Sequence, residues 1–173
     1  MAFSTWARGA GRDEFAGVQR VRKAIDWPAA AEHPPFAATL APAQAQTLQR
    51  AQLPVLLPAA GPPTANATAT AEADWYTLSA HDGDCTVVVQ GDRIATLDPD
   101  MAPADWQPPN WQHPLVTRNE GIVEATFLAF GASYVVAVEC GRPDRDARCT
   151  EDAFVESLVA AMRRWSPTGA GQP

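Results

Sequence analysis

A chain of 173 residues with a net charge of −7 is about one domain's worth of polypeptide, and its acidity argues against the cationic footprint of a nucleic-acid binder. The apolar content of 46% overstates the core, because much of it is Ala, and 16 Pro with 11 Gly mark many turns and irregular segments. No run of 18 apolar residues is present, so no segment reads as a membrane-spanning helix.

Residues 1–25 carry five Arg/Lys against two Asp/Glu, and the remainder carries eight against eighteen, a basic arm on an acidic body. The N-terminus lacks the apolar stretch of a signal peptide. That leaves two expectations: a cytoplasmic protein, or an exported one whose leader or anchor precedes this numbering. Residues 1–14 read as a flexible lead-in. Phe15, Val18, Val21 and Ile25, with Arg20, Arg22 and Lys23 interleaved, predict a short amphipathic helix over 15–25. Such a helix is marginal alone and suits docking on the domain, on a partner, or peripherally on a membrane surface.

Residues 26–42 are Ala/Pro-rich and read as an extended connector. Residues 43–52 hold good helix formers with few apolar anchors. The apolar run Leu53–Pro58 (LPVLLP) predicts an edge strand packed on the core, because Pro is confined to positions where no N–H is needed. Residues 59–74 are low in complexity and read as a surface loop or disordered linker. The expected organisation is an N-terminal arm over 1–74, a core domain over 75–166 and a disordered tail over 167–173.

Within the core, WYTLSA (75–80) and CTVVVQ (85–90) flank HDGD, a hairpin signal. Residues 93–97 read as the third strand of a meander. Residues 98–114 are a long Pro-rich loop holding Trp106 and Trp111. A second hairpin joins 122–130 to 133–139 across Gly131, since so short a connection excludes a parallel return. The continuous apolar character of 133–139 predicts a central strand. Cys140 ends that strand and Cys149 precedes a helix capped by Thr150, with Phe154, Leu158, Ala161 and Trp165 on its apolar stripe. The expected fold is α+β: a mainly antiparallel sheet of about five strands, a C-terminal helix packed on it, and an extended N-terminal arm.

GRPDRDAR between Cys140 and Cys149 is a loop, and a bridge closing it adds about 2.5–3 kcal/mol in the chain-entropy model. A zinc pair prefers two to four residues between thiols and needs further ligands nearby; free thiols are the other alternative. The block NEG…FGASYVVAVECGRPDRDARCTEDAF resembles the C-terminal part of a group of small exported proteins of Proteobacteria, over about 45 residues. The resemblance implies a cell-envelope location and a structural Cys140–Cys149 disulfide, and it carries over no activity and no catalytic residue.

His81, Asp82, Asp84 and Cys85 crowd one turn. The Asp spacing is like the start of a calcium loop, but the Glu at the twelfth position is absent, and turn chemistry alone accounts for Asp-Gly-Asp. There is no GxSxG, HExxH or P-loop motif, and Cys85 within a strand reads as buried and inert. No cofactor is expected. Trp106 and Trp111 on a stiff loop, with Arg118 just beyond it, offer a surface for a protein partner, unless the indoles fold back to close one end of the sheet. The expected function is a non-catalytic periplasmic or surface protein that engages a partner protein or assembly. The alternatives are an inhibitor or immunity-type protein, and a small metal-dependent hydrolase centred on the His81–Asp84 turn.

Overall fold

Alternation of apolar with polar residues along the strands builds the main sheet, because successive side chains point to opposite faces. The structure is a computed structural model and describes residues 19–62, 64–97 and 107–167. The expected lead-in, Phe15 and Val18, Trp106 and the tail beyond Pro167 lie outside the described residues. In chain order the elements are β1 (Gln19–Arg22), α1 (Trp27–Glu32), β2 (Pro35–Phe36), α2 (Pro42–Leu48) and β3 (Leu56–Pro58). A 3₁₀ turn (Thr64–Asn66) leads to β4 (Thr68–Ala71), β5 (Trp75–Asp82), β6 (Cys85–Asp92) and β7 (Ile94–Leu97). Then come β8 (Leu115–Asn119), β9 (Ile122–Ala129), β10 (Ala132–Cys140), α3 (Ala147–Thr150), α4 (Asp152–Ala160) and β11 (Met162–Trp165).

The fold is α+β. A six-stranded antiparallel sheet runs in the order β4-β5-β6-β10-β9-β8, beside a three-stranded sheet β2-β11-β3 and a ribbon of β1 with β7. Both hairpins read from the sequence are present, and β10 lies between β6 and β9, at the centre. The turn joining β9 to β10 places Phe130 (φ 52°) and Gly131 (φ 81°) in the left-handed region, the primed geometry that matches strand twist. A Cβ on Gly131 would stand 2.1 Å from Ala24 O, so this turn is also where the N-terminal segment crosses. Asp26 N donates to Phe130 O there at 3.0 Å.

The inner face of the sheet packs against α4, β3 and β11. Tyr76, Val89, Phe127, Tyr134, Leu56, Leu158 and Met162 are all fully buried. Tyr76 and Tyr134 flank Gly91 from the two neighbouring strands as its direct register partners. The Tyr76 hydroxyl donates to Leu56 O and accepts from Leu56 N, both at 2.9 Å, and the Tyr134 hydroxyl donates to Pro54 O at 2.9 Å. Burial pushes both phenols well above their ordinary range, so they stay protonated donors. Leu53–Pro58 is thus fastened to the sheet by two tyrosines, and β3 is an edge strand as its prolines required.

Several expectations are corrected. The described part of the expected helix over 15–25 contains a strand, β1, which pairs with β7; a short amphipathic run takes the conformation that a partner strand offers. Residues 94–97 do not extend a meander, because the second side of β6 is taken by β10. The connector over 26–42 contains α1, capped by Asp26, whose side chain accepts from Ala29 N, and the short strand β2. The linker over 59–74 contains β4, and residues 115–119, just beyond the Pro-rich loop, form β8.

The C-terminal helix divides. Asp146 caps α3 in place of Thr150, the chain is extended at Glu151, and α4 ends at Ala160. Met162–Trp165 is a strand, held by Trp165 N donating to Val55 O at 2.7 Å and by pairing with both β3 and β2. Trp165 keeps the burial that the helical stripe predicted, but as a strand residue, and Met162 is buried beside it in the same strand.

A Cβ on Gly91 would stand 2.4 Å from Tyr76 Cε1 and 3.0 Å from Tyr134 Cε1. Gly91→Ala is expected to lower stability by about 1–3 kcal/mol through overpacking. Tyr76→Phe is expected to lose about 1–3 kcal/mol by orphaning the Leu56 amide and carbonyl. Urea unfolding checks both, with the outward-facing Thr77→Val as a control that stays within about 0.5 kcal/mol.

Candidate functional site

At one end of the sheet the β5–β6 turn meets the loop after β10, and the Arg148 guanidinium ties them together, with Arg142 3.9 Å from Asp84 beside it. Arg148 Nη1 donates to Asp82 O at 2.9 Å and to Asp82 Oδ2 at 3.2 Å; Nη2 reaches Asp84 Oδ1 at 2.8 Å and Asp146 Oδ2 at 2.6 Å. Its Nε donates to Asp146 Oδ1 at 3.0 Å, and Asp146 Oδ1 also accepts from Arg148 N, capping α3. The carboxylates of the His81–Asp84 turn, where a metal-dependent centre was only an alternative reading, therefore already share a cation. Hydrogen bonds from Arg148 hold the Asp146 carboxyl well below the usual carboxylate range, and the same contacts raise Arg148. His81 stands apart, with Nδ1 at 3.2 Å from Thr86 Oγ1 on an exposed strand surface.

Beneath this cluster lie three sulfurs. Cys140 and Cys149 form a disulfide with Cα atoms 6.3 Å apart. Cys85 is a buried free thiol directly opposite Cys140 in the β6–β10 ladder, with Sγ 2.6 Å from Cys140 Sγ and 3.5 Å from Asp146 Oδ2. All three Sγ atoms fall within 4.8 Å of one another, the spacing of a metal-binding set, but the bridged pair offers no thiolate in this redox state. From the sequence Cys85 reads as a buried, inert strand residue beside the HDGD turn, because only strand register reveals that it opposes Cys140.

Trp111 folds back. Its ring stacks on His33 at 5.1 Å, contacts Phe127 and Phe130, and its Nε1 donates to Val159 O at 2.8 Å. Arg118 donates to Thr150 O at 3.3 Å and forms an ion pair with Asp152, tying β8 to the junction of α3 and α4. Of the three candidate partner-binding residues, the described two are thus engaged within the chain, and Trp106 lies outside the described residues.

The sequence analysis did not single out the outer face of the main sheet as a site. Ladder register places Thr70, Thr77, Gln90, Val135, Thr126 and Leu115 in one row across all six strands, with Ser79, Val88, Ala137, Glu124 and Thr117 in the next. None of these outward side chains is buried, whereas nearly every inward one is. Leu115 and Leu128 are 56% and 41% exposed on this face. The two edges differ. Along β4, α2 packs and Gln44 Oε1 accepts from Ala69 N at 2.8 Å, while along the outer side of β8 no strand pairs among the described residues. Alternation in the sequence carried this signal, but only pairing assembles the short strands into one surface.

No family model matches the chain, and neither a curated protein nor a solved structure matches it.

Because Asp146 titrates below its unfolded value, its stabilising contacts are present above about pH 4 and are lost as pH falls through its lower folded pKa. Asp146→Asn is therefore expected to lower the urea midpoint at neutral pH. The gap to the unsubstituted protein is expected to close as pH drops below the carboxylate range. A gap that persists unchanged at low pH contradicts this assignment.

Proposed function

We propose that this chain is a non-catalytic cell-envelope protein that binds a protein partner through the open face and free edge of its six-stranded sheet. The observation that carries the reading is the outer side of β8, unpaired among the described residues, beside two exposed leucines, Leu115 and Leu128, on a face whose other edge is covered by α2. An unpaired strand edge offers a row of backbone donors and acceptors to an added strand, and flanking apolar side chains supply pockets or ridges for specificity.

The charges favour a protein over a nucleic acid. The ionisable groups that register places on the outward face are Asp92, Glu124, Glu139 and His81, with no Lys or Arg among the outward strand residues from β4 to β10. The envelope placement rests on the Cys140–Cys149 disulfide, since such bonds persist mainly in oxidising compartments, and on the resemblance to exported proteins.

A photo-crosslinking amino acid placed at Leu115, Thr117 or Leu128 in the native cell is expected to trap one protein partner. The same group at exposed Glu156, on the surface of α4, is expected to trap none. Leu115→Lys and Leu128→Lys are expected to abolish the adduct while changing stability by less than about 0.5 kcal/mol. Equal trapping from Glu156, or an adduct indifferent to both lysines, overturns the assignment of this face.

A further inference from the structure

Cys85 is a buried thiol against a disulfide, and partner binding through the outer face makes no use of it. Gly141 N donates to Asp84 O at 2.9 Å, one position beyond the Cys85–Cys140 pair. Alternation in an antiparallel ladder then makes Cys85 and Cys140 a non-hydrogen-bonded pair, where opposed side chains come closest. The Cα separation of such a pair, about 4.5 Å, lies within the span that a disulfide bridges. Cys140 thus has two sulfurs in reach, that of Cys149, to which it is joined, and that of Cys85, 2.6 Å away.

We propose that Cys140 carries two alternative disulfides, and that the Cys85–Cys140 isomer frees the Cys149 thiol beside a surface recess, where it accepts a small thiol as a mixed disulfide. In the first step Cys85 gives its proton to solvent and its sulfur attacks Cys140 Sγ. The Cys140–Cys149 bond breaks, and its electron pair leaves on Cys149 Sγ, which takes up a proton. One disulfide replaces another with no net oxidation. In the second step the Cys149 thiolate attacks an external disulfide, forms one new S–S bond, and expels the other half as a thiolate.

Position gives the exchange its consequence. Cys85 is fully covered; Cys149 is also buried, 4% exposed with Sγ 3.6 Å from Val138 O, but it borders a surface recess of about 430 Å³ together with Arg118, Asn119, Gly121, Ile122 and Pro143. The first step therefore moves the free thiol to the wall of a recess that opens to solvent. The groups facing Cys85 regulate it. Burial pushes its thiol up to about 11, the Arg148 guanidinium opposes that shift, and the carboxylates of Asp146 and Asp84 add to it. Exchange is accordingly slow at neutral pH and accelerates as the thiolate fraction grows.

The test uses the full, unreduced chain with oxidised glutathione at about pH 7 and about pH 10, quenched in acid and mapped without reduction by mass spectrometry. Glutathione on Cys149 with a Cys85–Cys140 link is expected, forming up to about tenfold faster per pH unit below the Cys85 pKa. An intact Cys140–Cys149 bond at both pH values, glutathione on Cys85 itself, or Cys85–Cys149 links of the kind that unfolding produces, each overturns the proposal. Two variants separate the steps. Cys85→Ser is expected to abolish the Cys149 adduct, and Cys149→Ser is expected to form the Cys85–Cys140 bond while keeping its circular dichroism. An adduct that persists in the first variant, or two free thiols in the oxidised second, likewise overturns it.

Discussion

Two tyrosines reaching past a glycine hold this protein together. Tyr76 and Tyr134 come from strands on either side of β6, and only the missing side chain at Gly91 lets both rings lie across the inner face. Their hydroxyls take up the backbone of Pro54 and Leu56, polar groups that would otherwise be buried without partners. With that segment fixed, β3 can receive β11, and β11 in turn receives β2. The small sheet, and through it the direction of α4, hangs on hydrogen bonds made by the large one.

The opposite end of the sheet is organised by charge. Arg148 is the common partner of Asp82, Asp84 and Asp146, so the loop that follows Cys140 is drawn back over the β5–β6 turn. The same carboxylate that accepts from Arg148 caps α3 and lies 3.5 Å from Cys85 Sγ. Electrostatics and sulfur chemistry are therefore coupled in one corner. The outer face of the sheet, by contrast, keeps its side chains exposed or half-buried.

Much of this was legible locally. Both long hairpins, the central place of β10 and the edge character of Leu53–Pro58 follow from alternation, turn residues and spacing within a few tens of residues, while the residues alone left Cys140 and Cys149 open between a disulfide, a metal pair and free thiols. Less of the candidate site was readable. The loop GRPDRDAR holds Arg142, Arg145 and Arg148 alike, and no local rule distinguishes the one that reaches Asp82 and Asp84. Trp111 could be read equally as a contact for a partner or as a lid; its bond to Val159 O and its stacking on His33 depend on segments distant in sequence.

What the sequence determined by itself was the set of strands whose side-chain period and flanking turns agree, together with an acidic composition and a loop flanked by two cysteines. Tertiary structure decided the rest. Residues 94–97 and 162–165 became strands because distant segments offered unpaired backbone, β1 to one and β3 to the other. Cys85 met Cys140 because antiparallel register opposes them across 55 residues of chain. Short segments with ambiguous periodicity take the conformation that satisfies a remote partner's hydrogen bonds, and that partner's position is a property of the fold and not of any local window.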